Sequence, residues 1–175
     1  TFVERELGPL LAHAAQHGSD LVGVLRTYLA AGRNKSSAAD AAHAAAELVG
    51  RFRRERRGYA ALALTADPSV LTSIANDYGY DRVFARQVEA LGQPGDVAFA
   101  ITTSGESVNA LRALEAARAQ QLTTIALTGR DGGAAGRLAD IHVNVPSTAT
   151  PRVQEVHRTL LHVICDLVET ELSAG

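Results

Sequence analysis

In the stretch AAGRNKSSAADAAHAAAELVGRF, residues 30–52, an imidazole and a carboxylate, His43 and Glu47, stand four residues apart among alanines and other small side chains. Four residues is about one helical turn, so both rise from one stripe and can meet a single ion or substrate atom. Such pairs also occur on solvated helix faces. Arg51, a further turn along, could orient Glu47 or neutralise charge, or be no more than a solvated helix end.

The stretch ITTSGES, residues 101–107, carries the strongest local signal. It follows an apolar run, turns at Gly105 and opens a helix, so Thr102, Thr103, Ser104 and Ser107 converge with free backbone N–H groups at a helix N-terminus. That is an anion cradle. It has no lysine and lacks the spacing of a nucleoside-triphosphate loop, so the expected guest is a monophosphate carried on a sugar. The alternative is a hydroxyl-rich turn that only caps its helix. Near the C-terminus, QEVHRTLLH sets Gln154, His157 and His162 into an apolar segment, where histidines often serve as core residues. On a helix Gln154 and His162 are about 12 Å apart along the axis and about 80° around it, so both reach one metal only if it lies between extended side chains.

The elements that must position these groups follow from the hydrophobic pattern. Residues 4–17 and 20–31 show helical spacing on either side of the breaker HGSD and read as an antiparallel pair. A helix over 36–50 follows. Then AALALTAD, DVAFAITTSG, LTTIALTG and DIHVNVPS, short apolar runs ending in small polar residues, alternate with helical segments at 69–77 with 80–91, 107–120 and 133–139. A last helix runs from 152 to about 170. Strands alternating with helices mean βαβ units and a parallel sheet covered on both faces, with ligands at the carboxyl ends of its strands. One element is out of place: no apolar β run feeds the helix after Asn34. Either the fold departs from its pattern there or a short segment between Arg33 and Asn34 is absent.

With 175 residues, 46% hydrophobic and 21% charged, the chain suits one domain: a helical pair over 1–33 and an α/β core over 34–175. The net charge of −2 removes the footprint of a nucleic-acid binder, although the cluster Arg51, Arg53, Arg54, Arg56 and Arg57 could hold a phosphate or end a helix. The single cysteine, Cys165, sits in an apolar run and reads as buried packing in a reducing compartment. Acids stand where a leader needs basic residues, and no apolar run reaches 18 residues, so a cytoplasmic protein without nucleic-acid or membrane partners is expected. The chain begins at Thr1 and has no methionine, which reads as a chain without its start.

The segments NKSSAADAAHAAAELVGRF, IANDYGYDRVFARQVEALGQPGDVAFAITTSGESVNAL, LTGRDGG and VPSTATPRVQEVHRTLLHVICDLVE together resemble the sugar isomerase (SIS) family, and within it the phosphoheptose isomerase branch, from Asn34 onward. The resemblance implies a three-layer α/β/α fold with a parallel, flavodoxin-like sheet. It also implies an aldose–ketose isomerase that interconverts sedoheptulose 7-phosphate and D-glycero-D-manno-heptose 7-phosphate through an enediol, for heptose nucleotide and surface glycan synthesis. Carried over, Thr102, Thr103, Ser104, Ser107, Ser37 and Asn34 hold the phosphate end. Asn76 and Asp77 contact the sugar chain, with Gln154 and Arg51 also on the substrate side. Glu47 is the base and His162 the acid, and zinc is bound by His43, Glu47, Gln154 and His162. The branch also implies a homo-oligomer, commonly a tetramer, with sites between subunits. The apolar stripe Leu7, Leu10, Leu11, Leu21, Val24, Leu25 and Leu29 would serve such an assembly or pack on its own sheet.

The chain departs from the branch where NKSS replaces NGGS, and Lys35 either adds a cation for phosphate or faces solvent. The rival reading is a non-catalytic SIS module that binds a sugar phosphate or a protein such as a replication initiator. Retention of Glu47 and His162 favours the enzyme, while NKSS and the absent strand favour the module. An isomerase of the same mechanism acting on another ketose phosphate is the third reading.

Overall fold

The strand that the hydrophobic pattern hides lies inside the segment read as a helix. In the computed structural model, which describes residues 27–32 and 35–173, Thr27–Ala31 forms a strand, β1. The helical reading of 20–31 is therefore corrected over these five residues, and the α/β core reaches back at least to Thr27. Tyr28, Leu29, Ala30 and Ala31 are all buried. A strand covered on both faces shows no polar alternation, so its apolar residues merge with a helical pattern before it. With β1 leading through Gly32 to the next helix, an absent segment is no longer needed to supply a strand. Arg33 and Asn34 lie outside the described residues, as do 1–26 with the rest of the expected helical pair.

After β1 come Lys35–Val49 (α1), Ala61–Ala63 (β2), Pro68–Tyr78 (α2), a 3-10 turn at Tyr80–Arg82, and Ala85–Leu91 (α3). Val97–Thr102 (β3), Val108–Ala119 (α4), Thr123–Gly129 (β4), Gly133–Leu138 (α5), Ile141–Val145 (β5) and Thr150–Ser173 (α6) complete the order. The strands form one parallel sheet in the order β2-β1-β3-β4-β5, the flavodoxin-like arrangement. Thr27 to Ala31 pair with Val97 to Ile101, so the chain reverses its direction of growth between β1 and β3. The carboxyl ends of those two strands flank the crevice where such sheets bind ligands.

Side-chain size divides the two faces. Leu29, Phe99, Ile101, Ile125, Leu127 and Val143 point to the face covered by α1 and α6. Their neighbours Ala30, Ala98, Ala100 and Ala126 point to the other face, where Leu64, Val83, Phe84, Val88 and Leu114 supply the bulk. Alternation with period two assigns large residues to one side and, Tyr28 apart, small ones to the other. On the bulky side α1 contributes Ala41, Ala44 and Ala45, which fill the remaining volume without forcing the helix away.

Helices α1 and α6 both start at the carboxyl edge and run parallel, as contacts ascending together along both chains require. Buried Asp40 receives Arg158 Nε and Nη2 at 3.1 and 2.9 Å, and His43 meets His162 one turn on. Below them Glu169, fully buried, accepts backbone N–H groups from Phe52, Arg53 and Arg54 at 2.6, 2.9 and 3.0 Å, and Arg56 Nε at 3.1 Å. Burial pushes the Glu169 carboxyl up, but the three amide bonds and the Arg56 charge outweigh it and bring it down to about 2.

Since the folded value lies below the 4.5 of an unperturbed glutamate, Glu169 contributes stability that is complete above about pH 4.5 and is lost as the pH falls toward 2. Denaturant unfolding between pH 6 and pH 2.5 is expected to follow that loss, and Glu169→Gln to flatten it. At neutral pH the substitution costs about 3–5 kcal/mol, because Arg56 is left charged and buried.

Candidate active site

The loop ITTSGES, read as an anion cradle, lies at the carboxyl end of β3. Thr102 is buried, and its Oγ1 lies 3.1 Å from Ser107 Oγ. Ser107 is the N-cap residue of α4, yet its hydroxyl makes no capping bond to its own helix. It turns to Thr102 instead, and in the first turn of α4 the Ala110 N–H is accepted by Asn109 Oδ1 at 3.0 Å. Ser104 Oγ accepts the Glu106 N–H at 3.1 Å. Gly105, at φ +70°, folds the loop so tightly that a Cβ would collide with the Gly132 carbonyl. Its own carbonyl accepts the Ala135 N–H at 2.9 Å, and Glu106 Oε1 accepts that of Ala134 at 2.8 Å.

Gly32, at the end of β1, closes the cradle from the other side of the crevice. A Cβ there would lie 2.8 Å from Ser107 Oγ and 3.1 Å from Thr102 Oγ1. The Gly32 N–H is held by the Ile101 carbonyl at 2.7 Å, and Asn109 Nδ2 reaches the Ala31 carbonyl at 3.3 Å. A close approach of backbone to this loop is made at Gly32, three residues before Lys35, which stands where NGGS has its first glycine. Ser37 is buried in the first turn of α1, and Lys35 is exposed.

His43, Glu47 and His162 come together in the seam between α1 and α6. His43 Nε2 lies 2.9 Å from His162 Nε2 and 3.5 Å from Glu47 Oε1. Between the rings one Nε2 donates and the other accepts, and because both contacts meet at His43 Nε2 a proton there serves His162 or Glu47 but not both at once. The side chains of His43 and Glu47 are 42% and 21% exposed, enough for a small molecule to reach them. The cluster sits six to ten residues along α1 from Ser37, or about 9–15 Å of helix.

Other expected residues stand apart from these two centres. Asn76 and Asp77, near the end of α2, are exposed and bonded to each other at 2.9 Å. Arg51 is exposed and pairs with Glu55 at 3.5 Å. Gln154 is half-buried two turns before His162 on α6. His157 belongs to the core: fully buried, it donates from Nε2 to the Thr128 carbonyl at 2.8 Å. Burial lowers its pKa, against that hydrogen bond and the Asp40 charge. Cys165 is buried packing, its thiol raised to about 11 by burial first and then by the charges of Glu47 and Glu169.

The sequence reading missed Gly32, Phe52 and Glu169, while Arg56, read within its cluster as holding a phosphate or ending a helix, does the latter. Arg56 donates to the carbonyls of Glu47, Leu48 and Gly50, which α1 leaves unbonded at its end. In the sequence it is one of five clustered arginines, and only its burial distinguishes it.

The expected zinc donors can be tested on this geometry. Two imidazoles and a carboxylate are the right donor types, and two Nε2 atoms already face one another. A tetrahedral ion with Zn–N near 2.0–2.1 Å needs them about 3.3 Å apart, a separation that small side-chain rotations supply. Among the described residues no three His, Cys, Asp or Glu side chains are already arranged to hold an ion. The set fits zinc in kind and is not preformed.

No helix among the described residues is long and apolar enough to cross a membrane. The SIS domain family profile matches residues 10–129. The chain is 52% identical over 170 residues to the phosphoheptose isomerase of Geobacter sulfurreducens, covering 97% of this chain and 89% of that one. It is 53% identical over 161 residues to that of Aquifex aeolicus, with 89% and 84% covered. The structure of phosphoheptose isomerase GmhA from Neisseria gonorrhoeae matches with a TM-score of 0.84 at 42% identity, over 96% of this chain and 89% of that one. With that fold, that cradle and these relatives, the chain belongs to the SIS domain family, in its phosphoheptose isomerase branch.

Proposed function

We propose that this chain is an aldose–ketose isomerase that interconverts sedoheptulose 7-phosphate and D-glycero-D-manno-heptose 7-phosphate, in heptose nucleotide and surface glycan synthesis. The observation that carries the reading is the line Glu47–His43–His162 in a seam that starts beside a hydroxyl-lined anion cradle. A binding module has no use for a carboxylate and two histidines in contact.

The phosphate is held by Thr102, Thr103, Ser104 and Ser107, with Ser37 nearby and Asn34 assigned to the same end of the substrate. Glu47 removes a proton from C1 of the ketose, and the electron pair left behind forms the C1=C2 bond. The C2 carbonyl oxygen takes a proton from His162, which gives the neutral enediol. His162 then takes the proton of the C1 hydroxyl, C1 becomes the carbonyl carbon, and Glu47 returns its proton to C2. No net proton is gained or lost. His43 Nε2, 2.9 Å from His162 Nε2 and 3.5 Å from Glu47 Oε1, keeps the two groups beside one another.

Zinc is the ion this reading assigns to His43, Glu47, Gln154 and His162. When bound, it supplies Lewis-acid polarisation of the carbonyl and hydroxyl oxygens. The reading includes a cytoplasmic homotetramer with sites between subunits. Asn76 and Asp77, with no described contact to the cradle of their own chain, would then reach the sugar bound by a neighbour. Arg51 would serve the same sugar from its exposed position.

An isomerisation assay with sedoheptulose 7-phosphate tests the assignment. Glu47→Gln and His162→Ala are each expected to lower kcat by about 10²–10⁴-fold. Undiminished turnover in either removes that residue from the acid–base scheme, and no turnover by the wild type with zinc supplied returns the module reading. Treatment with a strong chelator is expected to abolish most activity, and added zinc to restore it; unchanged activity rules the metal out. Gly32→Val, which places methyl groups against Thr102 and Ser107, is expected to raise KM about tenfold, the equivalent of one charged hydrogen bond, with less effect on kcat.

A further inference from the structure

His162 is held from two sides. Its ring meets His43 at 5.1 Å between centroids, edge on at 68°, and stacks on Phe52 at 5.4 Å and 25°. Phe52 lies three residues beyond α1, in a loop that would otherwise be free to carry its ring elsewhere. The loop is fixed by Glu169, whose Oε1 accepts the Phe52 N–H at 2.6 Å. Glu169 and His162 are seven residues apart on α6, on nearly one stripe about 10 Å along the helix. The aromatic ring is therefore registered on the same helix that carries the imidazole it touches. Arg56 closes the arrangement by bonding both Glu169 and the Glu47 carbonyl, at 3.1 and 2.8 Å.

We propose that Phe52 is a positioning residue for the isomerisation. Its ring holds the His162 imidazole in the plane from which one nitrogen serves the substrate oxygens, and the Glu169–Arg56 pair fixes Phe52 in that place. The torsion that turns an imidazole is soft and broad, so a side chain of similar volume without a flat face leaves the ring free to swing. Misplacement of a proton donor by a fraction of an ångström slows chemistry more than it weakens binding. The inference rests on the reading of His162 as the acid.

The test compares the wild type, Phe52→Leu, Phe52→Tyr and His162→Ala in steady-state assays with sedoheptulose 7-phosphate, alongside NMR spectra of the histidine ring resonances. Phe52→Leu is expected to lower kcat about tenfold with KM changed by less than about twofold, and to move the His162 ring resonances away from their stacked positions. Phe52→Tyr, which keeps the ring, is expected to restore both. Phe52→Met provides a second ringless side chain should the leucine variant melt early. Wild-type kcat in the ringless variants, or unmoved His162 resonances, overturns the proposal while His162→Ala remains inactive. Full activity of His162→Ala instead overturns the acid assignment beneath it.

Discussion

A carboxylate sealed from water must find all its hydrogen bonds in the protein, and Glu169 is the place where this fold meets that demand. Its oxygens gather three successive backbone amides and one guanidinium, so the loop after α1 must wrap around it in a single conformation. Arg56 uses its remaining donors on the carbonyls at the end of α1. A lysine has no planar fork with which to serve so many acceptors. One ion pair thus ends a helix, folds a loop and ties both to α6, with His43, Glu47 and His162 on the helices it joins.

The division of volume across the sheet explains the composition of α1. Phe99, Ile101 and Leu29 project toward it, so the facing helix must offer little bulk, and Ala41, Ala44 and Ala45 do so. The alanines let α1 lie close on the sheet, on the face it shares with α6, where His43 touches His162. A helix of leucines would stand off from the sheet by the width of a side chain.

Much of this was legible in the residues, and what was hidden had physical reasons. The hydroxyls of ITTSGES announce their turn and their helix locally, because a strand end, a glycine and a cap residue are features of neighbours in sequence. His43 and Glu47 are one turn apart and declare a shared face. The strand at Thr27–Ala31 was concealed by its own burial, since nothing polar marks a strand covered on both sides. Phe52, Arg56 and Glu169 act through contacts more than a hundred residues apart, for which no spacing rule exists. The exposure of Lys35 and the pairing of Arg51 with Glu55 are decided by tertiary packing, which periodicity does not report.

The cradle's make-up also bears on how the ligand comes and goes. Between Thr102 and Ser107 the one charged side chain is Glu106, and its carboxylate is turned aside to the Ala134 amide. What this loop offers an anion is an array of hydroxyl and amide dipoles rather than fixed cations. Dipoles act over short distances and are scarcely screened by dissolved ions, whereas the pull of a lysine or arginine fades as salt is added. Recognition of that kind selects for shape at contact rather than for charge at a distance.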